Sequence, residues 1–219
     1  NTLSYMAGAT GYHLQSALGQ IARGQSKGKL RHLNAMRKLF AYAYTKKDLR
    51  FIIPVPEHLP KINSVKEMKI HLTGEFDAGL GSSSSLGVDG HARQGYFLST
   101  GLHSDFMSVV AGRSALQSTV SLSTCEAELL SCTFCARNMV GLHNLLSYVF
   151  EGAQIETPVI SGDNESANRL GAAQAGLRHH RHLRFSDLWC RVLSKNGQIK
   201  INPVRTKENT SDMLTKVLP

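Results

Sequence analysis

The sequence is short of acids. Its 219 residues carry 16 Asp and Glu against 25 Lys and Arg, a formal net charge of +9, and no acid precedes Asp48. Such a deficit favours a polyanionic partner, most simply nucleic acid. No run of about 18 apolar residues is present, so no transmembrane helix is expected. Cysteine is scarce too. Of the four, Cys125, Cys132 and Cys135 fall in one predicted helix and Cys190 stands apart, which excludes a secreted disulfide framework. Cys132 and Cys135 form a C-x-x-C, but no second pair follows at zinc-site spacing. They are expected to be metal-free core residues of an intracellular protein. The first residue is Asn rather than Met, so the chain is expected to be processed, excised from something longer, or incompletely known. The acid-free start, with its Ser and Arg, has the composition of an organelle transit peptide, with the mitochondrion as one address. The length suits one large domain, or one domain with an appendage.

Against that background, four acids stand out because each falls where a strand ends or a helix starts. They are Asp77 in Glu75-Phe76-Asp77-Ala78-Gly79, Glu128 in Ser123-Thr124-Cys125-Glu126-Ala127-Glu128, Asp163 in Ile160-Ser161-Gly162-Asp163-Asn164, and Asp212 in Thr210-Ser211-Asp212-Met213. Converging carboxylates repel one another, and divalent metal is the usual counter-charge. A four-carboxylate metal site in a basic chain points to nuclease chemistry on a phosphate backbone.

Residues 1 to about 50 read as helical, with Leu30, Leu33, Ala35, Met36, Leu39, Phe40 and Ala43 at helical spacing. Pro54, Pro56 and Pro60 then mark a linker. From Lys66, Met68, Ile70 and Leu72 alternate with Lys69 and His71, as in a half-buried strand. Gly79 to Gly90 is a Gly- and Ser-rich loop. Gln94–Thr100 predicts a second strand. Phe106–Ala111 and Ser118–Leu122 predict a third, kinked around Gly112. Thr157–Gly162 is a short strand ending at Asp163, and Glu165–Leu170 starts a helix. A basic stretch, Arg178 to Arg184, leads into a helix through Leu188, Trp189, Val192 and Leu193. Gly197 is expected just past its end. Gln198–Arg205 is the last strand, and Thr210 or Ser211 caps a final helix.

Ser123 or Thr124 can cap a long helix. Its stripe runs Cys125, Glu128, Cys132, Cys135, Met139, Leu142, Leu146 and Val149, with steps of three and four. Glu128 therefore shares the core-facing stripe, one turn from the helix start. Glu126, two positions earlier, is expected to point well away. A carboxylate on a buried face costs several kcal/mol unless it is paired or bound to metal, so Glu128 marks a site. Strand, hairpin, helix and parallel strands together imply a mixed sheet with helices packed on it.

From about Lys66 to Pro219 the chain resembles the ribonuclease H domain of copia-type LTR retrotransposon polyproteins. The matching runs are Phe76-Asp77-Ala78, Arg93-Gln94-Gly95-Tyr96, Leu122 to Glu128, Gly162-Asp163-Asn164-Glu165-Ser166-Ala167, Leu177-Arg178-His179 with His182-Leu183-Arg184, and Glu208 to Lys216. Six motifs in order are specific where any one would be weak. Residues 1 to about 56 look similar to the helical segment joining reverse transcriptase to this domain, through Leu3-Ser4-Tyr5 and Met36 to Tyr42. No Tyr-x-Asp-Asp motif of a polymerase is present. The family's Asp-x-Asp-Trp is here Asp77-Ala78-Gly79-Leu80, residues Ser82 to Ser85 look inserted, a tryptophan near Gly112 is missing, and the loop histidine that cellular ribonucleases H carry before the fourth acid is absent from Thr206-Lys207-Glu208.

The resemblance implies an α/β RNase H-like fold, a five-stranded mixed sheet flanked by helices, over residues 61–219. A helical segment and linker would occupy 1–60. It implies cleavage of the RNA strand of RNA–DNA hybrids with two Mg2+ ions, or Mn2+ in their place, held by Asp77, Glu128, Asp163 and Asp212. These are the four acids that strand and helix ends had already picked out. The hybrid backbone would lie on Arg178, Arg181, Arg184, Arg191, Lys195, Lys200, Arg205 and Lys207, read by groove shape and 2′-hydroxyls. A rival reading is a domesticated copy serving as a structural, RNA-binding subunit of a ribonucleoprotein such as an organellar ribosome, with protein subunits as further partners.

Overall fold

A computed structural model describes residues 7, 11–22, 28–48, 63–80, 91–178 and 182–216. The linker prolines, the Ser82–Ser85 insertion, Leu3-Ser4-Tyr5 and Arg181 lie outside the described residues. The elements, in chain order, begin with helices α1 (Gln15–Ala22) and α2 (Leu30–Thr45). Strands β1 (Lys69–Gly79), β2 (Arg93–His103) and β3 (Phe106–Leu116) come next, followed by helix α3 (Thr124–Val149) and strands β4 (Gln154–Ile155) and β5 (Val159–Gly162). Helices α4 (Glu165–Gly171) and α5 (Trp189–Lys195), strand β6 (Lys200–Pro203) and helix α6 (Asp212–Thr215) complete the series.

The sheet runs β3-β2-β1-β5-β6, with two-residue β4 beside the start of β1. β1–β2 and β2–β3 pair antiparallel, whereas β1–β5 and β5–β6 pair parallel. This is the expected five-stranded mixed sheet flanked by helices. β1 shows how sequence sets it up. Ile70, Leu72, Gly74 and Phe76 are buried while their neighbours are partly exposed, the period-two signature of a half-buried strand. Asp77 breaks the alternation, being buried next to buried Phe76.

The third strand departs from expectation. It runs through Gly112 to Leu116, and its irregularity lies between the pairs Leu98–Ala111 and Ser99–Val109, which leaves Val110 as the extra residue. Ser118–Leu122 is not a strand. Buried Gln117 organises that stretch instead, accepting from the Ser121 hydroxyl at 2.7 Å and donating to Ala127 O at 2.7 Å.

α3 packs across β1, β2 and β5. Phe76, Leu98, Leu129, Cys132, Cys135, Met139 and Ile160 form the centre of the core, each at most 2% exposed. Both C-x-x-C cysteines are thus core residues. The stripe fails at its end, where Val149 is 58% exposed beside exposed Leu145 and Tyr148. On β2, Gly95 admits α6: a Cβ there would lie 2.5 Å from Leu214 Cβ. Gly197 follows α5 at φ +70°, as expected of a residue past a helix end.

The N-terminal helices are docked. Tyr12 meets Phe97 edge-to-face at 5.5 Å. The Gln15 amide donates to Gly112 O at 3.1 Å and accepts from Ser114 N at 2.6 Å. α2 packs on α1 through buried Leu39. None of the helices among the described residues is long and apolar enough to cross a membrane.

Candidate active site

The site forms where two adjacent parallel strands end, the position at which open α/β sheets place their ligands. Glu75 pairs with Ser161, so the register carries Asp77 on β1 level with Asp163, the residue after β5. Asn164 caps α4, its side chain accepting from Ala167 N at 3.1 Å, which fixes the turn that follows Asp163. Glu128 comes from the first turns of α3. Ser123 caps that helix and accepts from Glu126 N at 3.2 Å. Ser131, one turn past Glu128, donates to Asp77 O at 2.7 Å and ties helix to strand. Donor oxygens of Asp77, Glu128 and Asp163 lie within 4.8 Å of one another.

Asp212 sits beside this trio. Asn209 Nδ2 donates to Phe76 O at 3.0 Å, and Thr210 N donates to Glu75 Oε2 at 2.8 Å, which brings α6 onto β1. The Thr215 hydroxyl donates to the Asp77 carboxylate. Asp212 itself pairs with Lys216, four residues on. Asp212 adds to the negative field on Asp77 and Glu128 but is outside the three-acid group.

Burial and mutual repulsion work against charge here. Burial, with Asp77 as the next cause, pushes the Glu128 carboxyl up to about 9, and an N–H from Ala78 only partly offsets it. Burial, then the charges of Asp212 and Asp163, holds Asp77 at about 6 despite the Thr215 bond. The Asp212 carboxylate raises the pKa of Lys216. Glu128 Oε2 and Asp212 Oδ1 are buried without a hydrogen-bond partner. An all-oxygen donor set with orphaned carboxylate atoms suits a hard divalent cation, whose opposite ligands are separated by about 4.2 Å in an octahedral Mg2+ shell. The residues fit such an ion.

Glu126 corrects the expectation that it points well away. It is 5% exposed, and its Oε2 accepts from Leu122 N at 2.9 Å and from His182 Nε2 at 3.2 Å. Helical spacing could not reveal a partner 56 residues away. The supporting polar residues Ser131, Asn209 and Thr215 were also missed as site components. Two of them stand inside quoted motif runs, which was the available signal.

The basic positions divide. Arg178, Arg184, Lys195, Lys200, Arg205 and Lys207 are exposed. Arg205 pairs with Glu208 at 3.6 Å. Arg191 differs, since its Nη1 donates to Leu170 O and Ala175 O, each at 2.8 Å, and so braces the α4–α5 connection. Arg181 is outside the described residues.

No family model matches the sequence. Over 110 residues, 50% of this chain, it is 31% identical to a Retrovirus-related Pol polyprotein from transposon TNT 1-94 of Nicotiana tabacum. The match spans 8% of that polyprotein's length. Among solved structures, LC11-RNase H1, isolated from compost by a metagenomic approach, aligns at TM-score 0.47 and 10% identity, covering 66% of this chain and 91% of its own. RNase H1 from Halobacterium salinarum aligns at TM-score 0.42 and 13% identity over 66% and 93%. The foamy viral protease-reverse transcriptase in complex with an RNA/DNA hybrid aligns at 0.39 and 13% over 89% and 27%. The order of its motifs is the feature by which the chain resembles the RNase H domain of a retrotransposon polyprotein, and its sequence match is to a transposon polyprotein.

Proposed function

We propose that the chain is a metal-dependent endoribonuclease that cuts the RNA strand of RNA–DNA hybrids, with residues 61–219 as its catalytic unit. One observation carries this reading: three acids from β1, α3 and the end of β5 bring donor oxygens within 4.8 Å of one another in a protein of net charge +9. Burying neighbouring carboxylates costs free energy, whether they repel as anions or hold protons above their usual range, and a bound cation offsets that cost. Asp77, Glu128 and Asp163 would hold Mg2+ or Mn2+, with Asp212 completing the set. Bound divalent metal supplies the activation of water and the stabilisation of charge that phosphodiester cleavage needs.

The chain's own residues do the rest. Ser131 and Thr215 fix Asp77 from its backbone and its carboxylate side. The first turns of α3 hold Glu128 against the Ala78 N–H, and α6 brings Asp212 alongside. The exposed cations at Arg178, Arg184, Lys195, Lys200 and Lys207 supply a surface for the phosphate backbone.

The test is cleavage of an end-labelled RNA annealed to DNA, with Mg2+. Wild type is expected to cut, and Glu128→Gln to leave the hybrid intact. Failure of folded wild type to cut above background would overturn the nuclease and leave the structural-subunit role standing.

A further inference from the structure

The mechanism above makes no use of Glu126, yet the chain buries this second carboxylate two residues before Glu128. Its side chain is 7% exposed. A carboxylate can only accept, so His182 must present the proton on Nε2 to the 3.2 Å contact. The other bond to the same oxygen comes from Leu122 N at 2.9 Å, at the entry to α3. One oxygen thus joins the start of the catalytic helix to a residue 56 positions later.

The stretch behind His182 is held a second time. Thr133 Oγ1, further along α3, donates to Asp187 O at 2.7 Å. Leu183 and Leu188 pack into the main core. Between these two fastenings stands exposed Arg184, whose N–H donates to Asp187 Oδ2 at 3.0 Å. Arg184 shares a polar cleft with Arg137, Gln94 and Gln117.

We propose that His182 is a positioning residue, whose bond to Glu126 holds the cationic stretch around Arg184 in register with the carboxylate cluster. This rests on the nuclease reading and adds to it a coupling between backbone grip and catalytic helix. Without that bond the stretch keeps its Thr133 fastening but loses the one nearest Glu128. Phosphate contacts fix register on a duplex, so loss of the bond should weaken the grip and spare the metal ligands.

Two variants of the full chain test this. His182→Leu keeps bulk without a donor, and His182→Gln keeps an N–H. Affinity for an RNA–DNA hybrid is measured in EDTA as a function of salt. Cleavage in Mg2+ is then resolved into kcat and KM. His182→Leu should bind about tenfold more weakly, the scale of one charge-assisted hydrogen bond. Its salt slope should drop by about one. KM should rise with kcat nearly constant, and His182→Gln should restore both. Wild-type affinity and slope in His182→Leu would overturn the proposal while wild-type cleavage keeps the nuclease reading intact. So would a fall in kcat with KM unchanged. Absence of cleavage by wild type would remove the nuclease reading and this coupling with it.

Discussion

The carboxylate end of the sheet and helix α2 break the ordinary burial pattern in opposite senses. At the first, Asp77 and Glu128 are about 95% buried. At the second, a 16-residue helix buries only Leu39 among its described side chains, while Leu30, Phe40 and Tyr44 are 72%, 54% and 74% exposed. The two departures are held differently. The acids are surrounded by a packed core and gripped by Ser131, Thr215 and the Ala78 N–H. Their arrangement is costly and held from several sides. The exposed Leu30, Phe40 and Tyr44 of α2 contribute little to the fold, because each keeps more than half of its surface in water. Buried carboxylates thus mark the candidate site, and exposed apolar surface here says little about what holds the fold.

The largest effect is expected at the acids. Asp163→Asn preserves shape and hydrogen bonding but removes a ligand. Hybrid cleavage should drop on the order of 10³-fold or more, while thermal melting of the metal-free protein stays level or rises as repulsion is relieved. A metal-free melting temperature that falls, with specific activity intact, would make Asp163 merely a structural residue at the turn into α4.

In the core that holds the acids, Met139→Ala should cost about 2–5 kcal/mol in urea unfolding, because Met139 is fully buried against α3's neighbours. On α2, Phe40→Ser should change stability by less than about 0.5 kcal/mol. Similar losses at both sites would mean that α2 is as integral to the fold as α3.

The pH dependence of the metal-free protein sharpens the electrostatic half. Glu128 and Asp77 carry folded-state pKa values of about 9 and about 6, above the ordinary 4.5 and 3.8. The native state therefore keeps protons that the unfolded chain has released, and stability must fall as pH rises through that window. Melting temperature should decline from about pH 5 to about pH 9. Glu128→Gln should flatten the upper part of the decline, and Mg2+ should oppose it by favouring the ionised acids. A melting temperature that rises across this range would contradict the placement of Glu128.

How far the sequence reached depends on the range of the interaction. Strand alternation in β1, the cap at Ser123, the stripe from Cys132 to Met139 and the turn at Gly197 are local, and each was legible. The gathering of Asp77, Glu128 and Asp163 follows from strand ends and helix starts once the sheet order is known, whereas Asp212, expected with them, stays beside the group and pairs with Lys216. The bulge at Val110 was not legible, because it depends on β2 supplying one residue fewer. Nor was the Glu126–His182 bond, nor the use of Arg191 to brace two carbonyls rather than stay free for phosphate. Those contacts join elements that only the assembled sheet brings together. The docking of Gln15 on Gly112 and Ser114 is of the same kind, at a separation of 97 to 99 residues.

On the proposed function, the gathered acids serve metal-dependent cleavage of the RNA strand in a hybrid. The most direct test labels the two strands of one hybrid separately and compares wild type with Glu128→Gln, in Mg2+ and in EDTA. The account predicts cuts in the RNA strand alone, by wild type alone and with Mg2+ alone. Cutting of both strands, or cutting that persists in EDTA or in Glu128→Gln, would contradict it.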